Sequence, residues 1–176
     1  MDYYCLNRLR ANDSSRLDDE FMTKADTRRS RGYFGIVIYR PKFEVNVGTL
    51  WRSAFLQDAA FVGTVGARTY RKQASDTPNT ANHIPLVHYS DMDDMLAHLP
   101  HSCALVGVEL NDCAKSLPEF WHPPRAVYLL GAEDNGIPRS VLDRCHYVVQ
   151  IPTVREWSMN VAAAGSIVMY DRMVKK

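Results

Sequence analysis

Short apolar runs recur along this chain, separated by stretches with helical spacing. YFGIVIY at 33–39, AAFVGTVG at 59–66, CALVGVEL at 103–110, AVYLLG at 126–131 and YVVQIP at 147–152 are nearly continuous in apolar, β-branched and aromatic residues. That is the pattern of strands covered on both faces. IPLVHY at 84–89 is a weaker candidate of the same kind. Between the runs, VGTLWRSAFLQDA at 47–59, SDMDDMLAHL at 90–99 and IPRSVLDRC at 137–145 read as helices, the second with Ser90 as N-cap. The chain closes with SMNVAAAGSIVMYDRMVKK, where Ser158 can cap, the alanines favour helix and the final lysines complement the helix dipole. The alternation predicts an α/β fold, a mostly parallel sheet of about six strands with helices on both faces.

The first thirty-three residues break this pattern. They are polar and mixed in charge, with Arg8, Arg10, Arg16, Lys24, Arg28, Arg29 and Arg31 interspersed with Asp2, Asp13, Asp18, Asp19, Glu20 and Asp26. Residues 1–33 are therefore expected to be an extension, with at most a short helix near 15–24, and 34–176 the globular domain. A length of 176 residues suits one domain with a real core and leaves room only for a small addition. The charge of +1 excludes a generic polyanion binder, so any nucleic-acid contact has to be local. No apolar run is long enough to span a membrane and the N-terminus has no signal-peptide core, which makes the cytoplasm the expected compartment. Cys5, Cys103, Cys113 and Cys145 form no CxxC pair and read as buried reduced thiols. His98 and His101 have an HxxH spacing, but Pro100 lies between them with no further ligand nearby; they read as solvated residues at a helix end, and no metal is expected.

In an open parallel sheet, ligands bind beyond the carboxyl ends of the strands. Three of the connections there are unusual. In PKFEVNVGTLWRSA, Asn46 and Gly48 read as a turn and Arg52 falls in the first helical turns. In LLGAEDNGIP, two glycines open the backbone to close approach by a ligand, and Glu133 and Asp134 lie between them; a carboxylate there can hold a hydroxyl, an amine or an arginine. Pro138 then starts a helix in the manner of an N1 proline. In VVQIPTVREWSMNVAAAG, Pro152 stiffens a loop that leads to Ser158 and Asn160, the latter a poor helix former in the first turn.

Taken together and in this order, NVGTLWRSA, LLGAEDNGIP and IPTVREWSMNVAAA resemble the three motifs of the SpoU/TrmH branch of the SPOUT RNA methyltransferases. The resemblance runs from residue 34 to about 171, and FVGTVGARTYRKQASDTPNTANHIPL and VGVEL fit it as well. Met159 stands where leucine is commoner, and TVREW departs from the usual loop. The resemblance implies a C-terminal trefoil knot and S-adenosylmethionine as cofactor, held by backbone groups at Leu110, Gly131, Ile151 and Met159. It implies 2′-O-methylation of ribose in tRNA or rRNA, with Arg52 and Asn46 near the reacting centre and Glu133, Ser158 and Asn160 supporting the site. It also implies a homodimer.

A guanidinium resists deprotonation, so Arg52 suits orientation of the ribose or phosphate and stabilisation of oxyanion character better than general-base work. The expected RNA contacts are Arg28, Arg29 and Arg31 with Arg8 and Arg10 in the extension, and Arg68, Arg71 and Lys72 with Tyr70 available for stacking. A base-methylating enzyme of the same superfamily and a non-catalytic RNA-binding or assembly protein on the same fold are the alternatives. A nucleotide-binding α/β domain is disfavoured because no GxGxxG or GxxxxGK[ST] is present.

Overall fold

The computed structural model describes residues 32–66, 80–131, 134–155 and 157–175. Seven strands form one sheet: β1 (Tyr33–Tyr39), β2 (Phe61–Val65), β3 (Leu86–Tyr89), β4 (Ala104–Val108), β5 (Lys115–Ser116), β6 (Arg125–Leu130) and β7 (Tyr147–Gln150). Their spatial order is β3-β2-β1-β6-β4-β7-β5, and each neighbouring pair is parallel. Two late strands enter between earlier ones, β6 between β1 and β4, and β7 between β4 and β5. The sheet has one strand more than the sequence suggests, because β5 is two residues long and polar and leaves no apolar run.

Alternate strand residues feed two separate cores, as a sheet buried on both faces requires. Ile36, Ile38, Val106, Ala126, Tyr128 and Leu130 pack with helices α1 (Glu44–Leu56) and α4 (Val161–Val174). On the other face Val37, Leu105, Val127 and Leu129 meet helices α2 (Met92–Ala97) and α3 (Arg139–Leu142). None of these helices is long and apolar enough to cross a membrane. The small residues of α4 serve an intramolecular contact: a Cβ on Gly165 would collide with Leu50 of α1.

Several boundaries move from their expected places. Helix α1 starts at Glu44, so Asn46 and Gly48 lie inside it rather than in a turn. Asp91, not Ser90, caps α2, its carboxylate accepting from the Asp94 amide, while the Ser90 amide donates to the Asp94 carboxylate. Helix α3 is one turn long and begins after Pro138. Asn160, not Ser158, caps α4, its Oδ1 accepting from the amides of Ala162 and Ala163. His98 is the C-cap of α2, exposed and paired with Asp94, and His101 is exposed beside Ser102. Of the cysteines, Cys103 is buried and Cys145 is half-buried with its thiol pushed up to about 11 by burial, but Cys113 is exposed. Cys5 and the helix expected near 15–24 lie outside the described residues.

One end of α4 is pinned by a polar network. The Arg172 guanidinium, only 6% exposed, donates to the carbonyls of Pro123 and Pro124 and to the Tyr128 hydroxyl, and lies 5.1 Å from the Phe34 ring centroid. His122 sits between the Tyr128 hydroxyl, 2.6 Å from Nδ1, and the Asp171 carboxylate, 2.8 Å from Nε2. A neutral imidazole satisfies both, accepting from the hydroxyl and donating to the carboxylate. Burial holds the His122 pKa below its ordinary 6.5, against the weaker opposing pull of Asp171. Because the fold prefers the neutral form, the stabilisation is present above pH 6.5 and is lost as the pH falls through the lower folded value. Thermal melts between pH 8 and pH 5 are expected to show acid destabilisation of the wild type that is weaker in His122→Gln; equal slopes would contradict this role.

Candidate active site

A parallel sheet gathers the carboxyl ends of its strands at one edge, and three adjacent strands, β6, β4 and β7, open a cleft there. Its empty space, with the open mouth, is about 750 Å³. Val108, Glu109 and Leu110 follow from β4, Leu130 and Gly131 from β6, and Ile151 and Thr153 from β7. Trp157, Ser158 and Met159 close the rim, and Val161 and Ala164 bring in the start of α4. The four residues expected to hold a cofactor, Leu110, Gly131, Ile151 and Met159, all line this single cleft.

The β6–α3 neck is built by glycines and one carboxylate. Gly136 has φ +58, a left-handed conformation that suits glycine, and a Cβ on Gly131 would stand 2.6 Å from the Gly136 carbonyl carbon. Into this tight space Glu109 extends from the end of β4, accepting from the Ile137 amide at 2.6 Å and the Leu110 amide at 3.0 Å. Glu109 thus ties the loop after β4 to the loop after β6. Asp134, also in the lining, accepts from Lys42 at 2.6 Å, which joins the β1–α1 connection to the same rim.

Asn160 does two jobs. Besides capping α4, its Nδ2 donates to Asn46 Oδ1 at 3.0 Å, across 114 residues of sequence. Asn46 is buried in the first turn of α1, so the pair locks the first and third motifs together beside the cleft. The Ser166 hydroxyl donates to the Ser53 hydroxyl and extends the α1–α4 seam. Arg52 stands apart: it is exposed on α1 and does not line the cleft.

The structure therefore brings together Leu110, Gly131, Ile151, Met159 and Ser158, and separately pairs Asn46 with Asn160. Glu133, Arg28, Arg29, Arg31, Arg68, Arg71, Lys72, Arg8, Arg10 and Tyr70 lie outside the described residues. The sequence reading missed Glu109, the Lys42–Asp134 bridge and Trp157. An acid at the end of a buried strand was a signal for Glu109. Nothing local marks Lys42, whose partner is 92 residues away.

The fold is an α/β domain with an open cleft at the carboxyl ends of its parallel strands. A profile of the SpoU rRNA Methylase family matches residues 33–170, and the chain belongs to that family. Comparison with curated proteins gives no match. Among solved structures, the AdoMet-bound rRNA methyltransferase from Sinorhizobium meliloti aligns with a TM-score of 0.72 and 21% identity, covering 80% of this chain and 56% of that one. The A. aeolicus TrmH/SpoU tRNA modifying enzyme aligns with a TM-score of 0.72 at 15% identity, covering 85% and 80% of the two chains. A protein whose structure concerns 2-OH methylation of C/U34 on tRNA aligns at 0.67 and 21% identity, covering 81% and 95%. At these identities the likeness establishes the fold. The chain spans little more than half the length of the S. meliloti enzyme.

Proposed function

We propose that this protein is an S-adenosylmethionine-dependent RNA methyltransferase that acts on a ribose 2′-hydroxyl of tRNA or rRNA. The observation that carries the reading is the convergence of Leu110, Gly131, Ile151 and Met159, drawn from the three connections that follow β4, β6 and β7, on one cleft of the expected kind. Leu110 and Met159, 45% and 38% exposed, leave apolar surface uncovered there, which suits the flat faces of an adenosyl group. Peptide groups at the strand ends offer hydrogen bonds to its polar edges. When bound, the cofactor supplies an electrophilic methyl group on a sulfonium.

The chain's own residues then have the task of presenting a weak nucleophile. The Ser158 hydroxyl at the cleft rim can hydrogen-bond the incoming ribose, and Asn160, held by Asn46, fixes the helix start beside it. Arg52 lies outside the cleft of its own chain and is brought to the reacting centre in the homodimer, where its guanidinium orients a phosphate or ribose and stabilises negative charge developing on the 2′-oxygen as its proton passes to solvent water. Glu133 completes this set.

The entry of β6 and of β7 between earlier strands supports a C-terminal trefoil knot. The exposed Leu56 of α1 with Ile167, Tyr170 and Val174 of α4 supports a homodimer formed through these helices. In this reading residues 34–176 are the catalytic domain, and residues 1–33 with Arg68, Arg71 and Lys72 supply local positive charge for RNA.

Incubation with methyl-labelled S-adenosylmethionine and total RNA, followed by digestion to nucleosides, should yield label in 2′-O-methylated nucleosides. Label in a methylated base would replace this reading with base methylation. Absence of label despite RNA binding would favour the non-catalytic alternative.

A further inference from the structure

Trp157 lines the cleft yet is 80% exposed. Val154 and Met159 in the same connection are exposed apolar residues too. The connection is not slack: the Thr153 hydroxyl donates to the Arg155 carbonyl at 2.6 Å, and the Trp157 amide donates to the same carbonyl at 2.7 Å. Pro152 restricts the entry and the Asn160 cap anchors the exit. An indole therefore stands at the mouth of the site with most of its area facing water, a flat surface that something could cover.

The surroundings say what that something is. Arg155, two residues before Trp157, is exposed, and Lys42 stands on the rim through its exposed bridge to Asp134. A flat aromatic surface in the cleft lining, with an exposed arginine two residues away in the chain and a lysine bridged to another lining residue, matches a nucleobase and its phosphate, the pairing by which single-stranded nucleic acid is held.

We propose that Trp157 is the stacking platform for a nucleobase of the RNA substrate, presenting the attached or neighbouring ribose to the cleft. This rests on the methyltransferase reading above. Trp157 is a positioning residue in this scheme, and its side chain takes part in no bond change.

The test uses the full chain saturated with S-adenosylhomocysteine and titrated with short oligoadenylate and oligouridylate RNA. Because Trp51 and Trp121 also emit, the Trp157 signal is taken as the difference between wild type and Trp157→Phe. Oligonucleotide is expected to quench that difference signal. Trp157→Ala should weaken oligonucleotide binding about 5- to 100-fold, with Trp157→Phe recovering most of it. In turnover, KM for RNA should rise by more than kcat falls, while the Kd for S-adenosylmethionine changes less than about twofold. Weakened cofactor binding in Trp157→Ala with unchanged RNA affinity would overturn the proposal, making Trp157 a wall of the cofactor site. No change in either affinity would also overturn it. Quenching by oligonucleotide in a wild type that transfers no methyl group would uphold the platform and refute the methyltransferase reading, so the two failures are distinguishable.

Discussion

Replacing Arg52 with alanine is expected to lower methyl transfer to RNA by about 10²–10³-fold, the usual cost of removing one donor aimed at developing negative charge. The structure makes the effect selective. Arg52 is exposed on α1, is not part of the cleft lining and takes no part in the Asn46–Asn160 hydrogen bond, so the cofactor affinity and the melting temperature of Arg52→Ala should match the wild type. Arg52→Lys should recover only part of the rate, since an ammonium keeps the charge without the planar fork. Single-turnover rates with saturating RNA check this. Near-normal transfer by Arg52→Ala would remove Arg52 from the reaction, and a lost cofactor affinity would place it in the cofactor site instead.

The largest expected effect on stability lies at the far end of α4. Arg172→Met keeps much of the apolar stem but strips the carbonyls of Pro123 and Pro124 and the Tyr128 hydroxyl of their donor. It also leaves the Asp171 carboxylate and the His122 ring in a less positive surrounding. Removing one member of such a buried set costs about 3–5 kcal/mol. For a chain of this length that corresponds to a fall in Tm of roughly 6–20 °C, measurable by calorimetry. Burial pushes the Tyr128 hydroxyl up to about 12, so it stays protonated throughout such an experiment and acts as a donor to His122. A shift below about 1 kcal/mol would mean that water replaces the guanidinium without penalty.

The sheet was legible in the sequence because burial on both faces leaves strands no polar alternation to hide them. Ile36, Val37 and Ile38 belong alternately to two different cores, and all three have to be apolar. β5 escaped for the opposite reason: among the described residues Lys115 and Ser116 pair only with β7, at the sheet edge, and bury little. Both misplaced N-caps arose where two competent residues stand close together. Ser158 and Asn160 can each cap a helix, and the choice falls to Asn160 because its amide also reaches Asn46, a partner that no local pattern reveals. Asn46 and Gly48 look like a turn, yet Val47 and Leu50 bury against the sheet and carry the helix back to Glu44.

The site divides along the same line. Strand-end positions such as Leu110, Gly131 and Ile151 follow from the rule that ligands bind beyond the carboxyl ends of parallel strands, once the strands are known. What that rule does not supply is how the loops are tied together. Glu109 bridges to Ile137 over 28 residues and Lys42 to Asp134 over 92, and these links exist only in the folded chain. The network of His122, Tyr128, Asp171 and Arg172 is equally non-local. Tyr128 reads in sequence only as one residue of a buried strand, and nothing local ties it to His122, Asp171 or Arg172.

The claim on which the rest depends is that the cleft at the ends of β4, β6 and β7 is the S-adenosylmethionine site. Titration calorimetry of S-adenosylmethionine into the wild type and Leu110→Arg tests it most directly. Leu110 is 45% exposed and lies outside both cores, so the substitution should leave the fold intact while placing a long cation in the cleft. The account predicts one cofactor bound per wild-type chain and affinity lowered at least about tenfold in Leu110→Arg at an unchanged Tm. Equal affinity in the two proteins, or no binding to the wild type, would contradict it.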